Sequence, residues 1–279
     1  MSKDNQRAKA EAFRAMHDRS QVLILANAWD AGSARFIEDA GARAIATSSA
    51  GLAYSLGYAD GEFLPRDELV RAIERIARVI KVPLSADIES GFGDDEKGVG
   101  ETVRAIIGAG AIGINLEDST GERERPLYEI DAAVARIKTA RAAGEAIGVP
   151  LVINARTDAL IVLKGEREAL LEEAIRRANA YHAAGADSLF PLGLNGEAEI
   201  ARAAREIKGP INLIFRAGMP SIARLKELGV ARLSLGSALA LAALTLTRSV
   251  AHDLLSAGTY SPTLGTGINY IEANKIMQG

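Results

Sequence analysis

Short runs rich in Ala, Val, Ile and Leu alternate along this chain with longer stretches in which aliphatic residues recur every three or four positions. The short runs predict eight strands, starting near Val22, Ala44, Leu84, Ile112, Leu151, Ser188, Ile211 and Arg232. The longer stretches predict eight helices. Residues 66–81, 130–147 and 170–184, for example, carry their charges opposite the aliphatic stripe, as amphipathic helices do. Strand entries alternate as well. The even-numbered strands follow Gly41-Ala42, Gly110-Ala111, Gly185-Ala186 and Gly229-Val230, where glycine supplies a left-handed helix stop. The third, fifth and seventh follow Val82-Pro83, Val149-Pro150 and Gly209-Pro210.

This period of two βα units predicts an α/β protein of the (β/α)8 TIM barrel type. An open doubly wound sheet uses the same local units. Its glycine-rich phosphate fingerprint is missing after the first strand, where Asn27-Ala28-Trp29-Asp30 stands. No linker divides the chain, so residues 1–258 are expected to form one barrel domain. Residues 259–279 read as a tail packing on the barrel or on a neighbouring subunit.

Composition narrows the chemistry. The 279 residues are 48% hydrophobic and 25% charged, with 33 Lys+Arg against 36 Asp+Glu. That is a globular balance, and a formal charge of −3 offers no field for nucleic acid. Cysteine is absent, which excludes disulfides, thiolate metal sites and cysteine nucleophiles. Residues 1–19 lack the apolar centre of a signal peptide, and the apolar stretch 238–246 falls short of the roughly 18 residues of a membrane span. A cytoplasmic location is expected.

Barrel active sites lie at the C-terminal ends of the strands, and here those ends are acidic. They read Thr47-Ser48-Ser49, Asp87-Ile88-Glu89, Asn115-Leu116-Glu117-Asp118, Asn154-Ala155-Arg156-Thr157-Asp158 and, on strand seven, Asn212. Strand alternation puts Asp87 and Glu89 on one face, towards Glu117. Three converging carboxylates repel unless a cation sits among them, and an all-oxygen set suits Mg2+, with Mn2+ as the alternative. Arg156 either fixes a substrate carboxylate bidentately or pairs with Asp158 or Glu117, and both readings can hold at once. His17, His182 and His252 all fall in helical segments, away from the strand ends. The long connections 50–64 and 119–129 are candidate lids.

Together, Asp87-Ile88-Glu89-Ser90-Gly91-Phe92-Gly93, Asn115-Leu116-Glu117-Asp118 and Asn154-Ala155-Arg156-Thr157-Asp158 resemble the isocitrate lyase/phosphoenolpyruvate mutase superfamily over about residues 23–244. The resemblance implies Mg2+-dependent making or breaking of C–C or P–C bonds beside an oxo-acid, through an enolate. It implies homo-oligomers, tetramers or dimers, in which the eighth helix is exchanged between subunits. It makes Asp87 and Glu89 metal-site residues, Glu117 the residue orienting metal-bound water, and Arg156 the carboxylate binder. It places Ser48, Ser49, Ala50, Asp60 and Asn212 at the substrate, and Leu192 where relatives carry His or Glu. The family's lid cysteine is missing, and Ser119-Thr120-Gly121 replaces the lysine-bearing lid of the P–C enzymes.

The resulting expectation is a lyase cleaving a C–C bond of a small 2-oxo or 2-hydroxy carboxylate, by decarboxylation or retro-aldol cleavage. Decarboxylation needs no base, whereas a retro-aldol step would call on Glu117, Tyr54 or Glu122. The alternatives are a P–C mutase or hydrolase acting on phosphonopyruvate-like substrates, and a non-catalytic 2-oxo acid binder.

Overall fold

The computed structural model describes residues 2–93, 95–261 and 264–279. The chain begins α1 (Lys3–Ala15), β1 (Leu23–Leu25), β2 (Asn27–Ala28), α2 (Ala31–Asp39), β3 (Ile45–Thr47), α3 (Ser49–Ser55), α4 (Arg66–Val79) and β4 (Leu84–Asp87). It continues α5 (Glu96–Gly108), β5 (Gly113–Glu117), α6 (Ile130–Ile147), β6 (Val152–Thr157), α7 (Ala159–Val162), α8 (Arg167–Ala183), β7 (Ser188–Pro191) and α9 (Gly196–Glu206). It ends β8 (Asn212–Ile214), α10 (Ile222–Glu227), β9 (Arg232–Ser234), α11 (Ala238–His252), a π-helical turn Asp253–Ala257, and α12 (Tyr270–Gln278).

Every strand pairing is parallel. One arc runs β2-β3-β4-β5-β6-β7 and the other β1-β9-β8. The arcs meet at two seams. β1 and β2 are one strand interrupted at Ala26, pairing with β9 before the break and with β3 after it. At the other edge Leu189 bridges Ile211, and its amide donates to the Pro210 carbonyl at 2.8 Å. Strand neighbours therefore follow one another around a ring, the TIM-barrel-type arrangement that the sequence period predicts.

The helix stops behave as read: Gly41, Gly110, Gly185 and Gly229 all have positive φ, between 85° and 109°. α1 was not among the expected helices. Its buried residues Gln6, Ala10 and Phe13 form a sparse stripe on an otherwise polar segment. It closes the N-terminal end of the ring: Arg14 donates to the carbonyls of Pro150 and Leu151, and Phe13 packs so near Gly113 that a Cβ there would lie 2.9 Å from its ring. The connection 50–64 also differs from a plain loop, because α3 occupies its first half with Ser48 as N-cap.

The helical run from Ala238 to Ala257 spans 20 residues at a mean hydropathy of 1.3, long and apolar enough by composition to cross a membrane. The apolar stretch in the sequence ends at Leu246, but the helical run continues beyond it through Thr247 and Arg248. Most of α11 is exposed, and Ala240 is its one buried residue. Of the tail, α12 lies against α2.

Candidate active site

In place of the branched aliphatics that usually fill barrels, the ring's interior carries asparagine and serine. Asp87, Asn115 and Asn154 stand in register on β4, β5 and β6, so their side chains meet on one level. Asn154 Nδ2 donates to Asn115 Oδ1 at 2.8 Å, and Asn115 Nδ2 to Asp87 Oδ1 at 3.0 Å. The second oxygen, Oδ2, accepts from the Ser49 amide at 3.1 Å. The Asp87 backbone amide is held by Thr47 Oγ1 at 2.8 Å. Asp87 is thus a fixed carboxylate with no ion pair among the described residues. The asparagine row behind it, Asn115 and Asn154, stands in the strand-end motifs, but nothing local in the sequence marks its role.

Asp87 lines a cavity of about 220 Å³ at the C-terminal mouth of the ring. That is below the ~300–1,000 Å³ of drug-sized sites, so the occupant is small. Ser48, Ser49, Ala50, Asp60, Arg156, Leu192 and Asn212 share this wall. Ser48 Oγ is committed to capping α3 through the Gly51 amide. Phe190 and Leu192 make one side apolar, and Asn212, fully buried, accepts from Ser234 Oγ. Asp60 has a raised pKa, chiefly from desolvation, with the Ser49 hydrogen bond opposing and the Asp87 charge adding to the rise.

The other two expected metal carboxylates do not share the wall with Asp87. Glu89 and Glu117 line a smaller recess of about 120 Å³ beneath residues 119–121. Among the described residues, no three His, Cys, Asp or Glu side chains gather closely enough to hold a metal together. Strand alternation fails at Glu89 because the chain leaves β4 and turns through φ 48° there. Its Oε2 accepts from the Glu62 amide at 2.7 Å, and burial followed by the charges of Asp87 and Asp60 pushes its pKa up to about 8.

Glu117 turns instead to Arg156, 2.8 Å away. Asp158 holds the same guanidinium bidentately at 2.6 and 2.7 Å. One cation therefore serves two carboxylates. Burial opposes the Arg156 charge, but Glu117 and Asp158 more than offset it and raise its pKa. Glu117 is the weaker partner: burial raises its pKa, Arg156 pulls it back, and Asp158, Asp87 and Glu89 push it further up. Of the two readings of Arg156, the ion pair is the one its bonds show, and the residue also lies on the cavity wall.

The donor set fits Mg2+ in one form. This ion keeps several waters and takes one or two protein carboxylates, so Asp87 as direct ligand with Glu89 and Glu117 acting through water satisfies it, whereas a three-carboxylate cage is not formed. Tyr54 and Glu122 lie off the cavity. Tyr54 is exposed on α3, and Glu122 pairs with Arg125 at 3.3 Å on the exposed 119–127 connection, whose ends are tied by a Ser119–Leu127 bridge.

Sequence reasoning also missed Glu62. Its Oε1 accepts from Ser90 N at 3.0 Å, Ser90 Oγ at 2.7 Å and Phe92 N at 3.1 Å, while its own amide donates to Glu89. The two loops are thereby cross-locked. Glu62, Glu89 and Phe92 all take positive φ, a conformation that costs about 1–3 kcal/mol per residue and persists only where contacts enforce it.

Residues 13–255 match the phosphoenolpyruvate phosphomutase family. The 2-methylisocitrate lyase of Escherichia coli K12 is 36% identical over 206 residues, 72% of this chain and 68% of that protein. The oxaloacetate decarboxylase of Rhodopseudomonas palustris BisB18 is 35% identical over 215 residues, 74% and 71% of the two chains. A solved phosphonopyruvate hydrolase in complex with oxalate and Mg2+ superposes with a TM-score of 0.84 at 26% identity, covering 97% of this chain and 95% of its own. With a match spanning nearly the whole ring and these side chains at its mouth, the chain belongs to the phosphoenolpyruvate phosphomutase family, within the isocitrate lyase/phosphoenolpyruvate mutase superfamily of lyases and mutases.

Proposed function

We propose that this protein is a Mg2+-dependent lyase that cleaves a C–C bond of a small 2-oxo or 2-hydroxy carboxylate through an enolate. The observation that carries the reading is the composition of the cavity wall. It holds Asp87 as a fixed, unpaired carboxylate, the Asp60 carboxyl and the guanidinium groups of Arg156 and Arg232, but no His, Lys, Tyr or Cys among the described residues. A wall so poor in proton carriers suits a reaction that asks little of them. Decarboxylation of a 3-carboxy-2-oxo acid is such a reaction, because loss of CO2 from C3 leaves the electron pair as an enolate on the 2-oxo group, needs no base, and solvent can protonate the product.

Asp87 would hold the ion directly, supported through water by Glu89 and Glu117. Bound Mg2+ supplies Lewis acidity that steadies the negative charge developing on the oxo-acid oxygen. Ser49 and Ala50, at the start of α3, border the oxo-acid end. Arg156 keeps its fork on Asp158 and one Nη1 donor on Glu117, so only its remaining Nη donors can face a substrate carboxylate, from a position that these two partners fix before substrate arrives. Where a retro-aldol step needs a base, the Asp60 carboxyl is the group on the wall whose raised pKa lets it exchange a proton nearer neutrality. The apolar Phe190 and Leu192 side limits the substrate to a small or partly apolar chain. A homo-oligomer exchanging α11 completes this reading.

The test is turnover of oxaloacetate, 2-methylisocitrate and phosphonopyruvate followed by NMR with Mg2+, comparing wild type with Asp87→Asn, since free Mg2+ also decarboxylates oxaloacetate. Wild-type turnover of a C–C substrate, lowered at least ~100-fold in the variant, is the expected result. Turnover of phosphonopyruvate alone would move the protein to P–C chemistry. Oxalate binding without any turnover would make it a 2-oxo acid binder.

A further inference from the structure

Arg232 lies on β9, inside the ring, in register with Leu23 and Asn212. It is 2% exposed, yet it has no ion pair among the described residues, and its Nη1 has no hydrogen-bond partner. Its one side-chain hydrogen bond among the described residues is a long one from Nε to Ser234 Oγ at 3.4 Å. Beside it, Asn212 accepts from Ser234 Oγ but leaves its own Nδ2, a buried donor, unpartnered. Arg232, Asn212 and Ser234 all line the same cavity as Asp87. Arg156, by contrast, already has two carboxylates on its fork.

A buried guanidinium without a counter-ion is among the costliest groups a fold can keep, and aliphatic side chains would fill a barrel interior without that cost. Burial pushes its pKa down to about 9, with only Asp87 acting from a distance to raise it, so it is still charged at neutral pH. The missing element is an acceptor with negative charge and planar geometry, which a carboxylate provides. Buried donors left open in this way also reject a ligand that lacks the matching acceptor.

We propose that Arg232 and Asn212 form a second anion subsite within the cavity, holding the distal carboxylate of a small dicarboxylate whose 2-oxo or 2-hydroxy acid end lies beside Asp87 and Ser49. This names the substrate class within the lyase reading above and rests on that reading for the orientation of the ligand.

The experiment compares two 2-hydroxy acids that differ by the distal carboxylate, malate and lactate, in calorimetric titrations of the full chain with Mg2+ present. Wild type is expected to prefer malate strongly. Arg232→Met is expected to weaken malate about 30-fold or more while leaving lactate within about threefold, with Arg232→Lys in between because it keeps charge but loses the fork. Without ligand, Arg232→Met should melt no lower than wild type, because it removes an unpaired buried charge. Equal weakening of both ligands, unchanged malate affinity, or a ligand-free variant melting several degrees lower would make Arg232 structural and overturn the inference. Turnover separates the two claims: an Arg232-dependent malate preference without turnover of any tested substrate sinks the lyase reading and leaves the subsite standing. Turnover by wild type with unaltered malate selectivity in Arg232→Met does the reverse.

Discussion

His17 shows how one buried side chain ties stability to pH. It sits just beyond α1, edge-on to Phe13 at 5.0 Å between ring centroids, with Nδ1 2.9 Å from the Phe13 carbonyl oxygen. Burial, with the nearby Arg232 charge adding to it, pushes its pKa down to about 4. An unfolded chain takes up this proton near pH 6.5, so between about 6.5 and 4 the unfolded form binds more protons than the folded one. The stability from keeping His17 neutral is complete above that window and is lost as pH falls through it, by up to about 3 kcal/mol. Urea denaturation at pH 7 and 4.5 should show wild type losing more stability than His17→Asn, which can still donate to Phe13 but does not titrate. Parallel losses in the two proteins would assign the acid sensitivity elsewhere. The two arginines of the cavity mark how far single residues can be read without a structure. Arg156 is legible because it stands in a motif at a strand end, whereas Arg232 reads in sequence only as the start of the eighth strand. Its lack of an ion pair among the described residues depends on what the other strands of the ring place around it and has no local signature.

Among the elements, the strands were the most legible part, since each predicted start lies within a residue or so of the observed one. Parallel strands buried on both faces leave continuous apolar runs, and the glycine and proline stops between them have one steric meaning each. What connects strand to helix was not legible. Glu89 was assigned to the face of Asp87 by alternation, but the strand had already ended, and the contact that holds Glu89 comes from Glu62, 27 residues away. A glutamate accepting three hydrogen bonds from a neighbouring loop looks like any surface glutamate in sequence. Removing it should be costly: Glu62→Ala loses three bonds to Ser90 and Phe92, at about 1 kcal/mol each, while the positive-φ turns they enforce remain. The expected fall in melting temperature is about 2–4 °C per kcal/mol at this size. Glu62→Gln, whose amide oxygen can accept the same donors, should recover most of it. A Glu62→Ala protein as stable as wild type would show that the loops hold each other by other means.

At the scale of the whole molecule, the ring has a bare flank among the described residues. Ile24 on β1 is 44% exposed, and with Val22, Ile37 and Leu239 it borders an apolar groove on the outside of the barrel. The helix that follows the last strand would ordinarily lie over such a flank. Instead α11 extends into solvent, with Leu241, Leu244 and Leu246 each about half exposed (47%, 49% and 51%). An uncovered apolar groove and an uncovered apolar helix in the same chain are complementary, and two copies exchanging α11 about a two-fold axis would cover both. A bilayer would also accept the apolar run from Ala238 to Ala257, but Arg248, His252 and Asp253 lie within that helical run and would have to be buried with it. Light scattering on the intact chain at micromolar concentration should therefore give a dimer or tetramer. Leu244→Glu, placing a charge where the exchanged helix meets its neighbour, should shift the mass towards the monomer while far-ultraviolet dichroism stays unchanged. A monomeric wild type would remove the exchange, and flotation of wild type with phospholipid vesicles, abolished by the same substitution, would give the helix to a membrane instead.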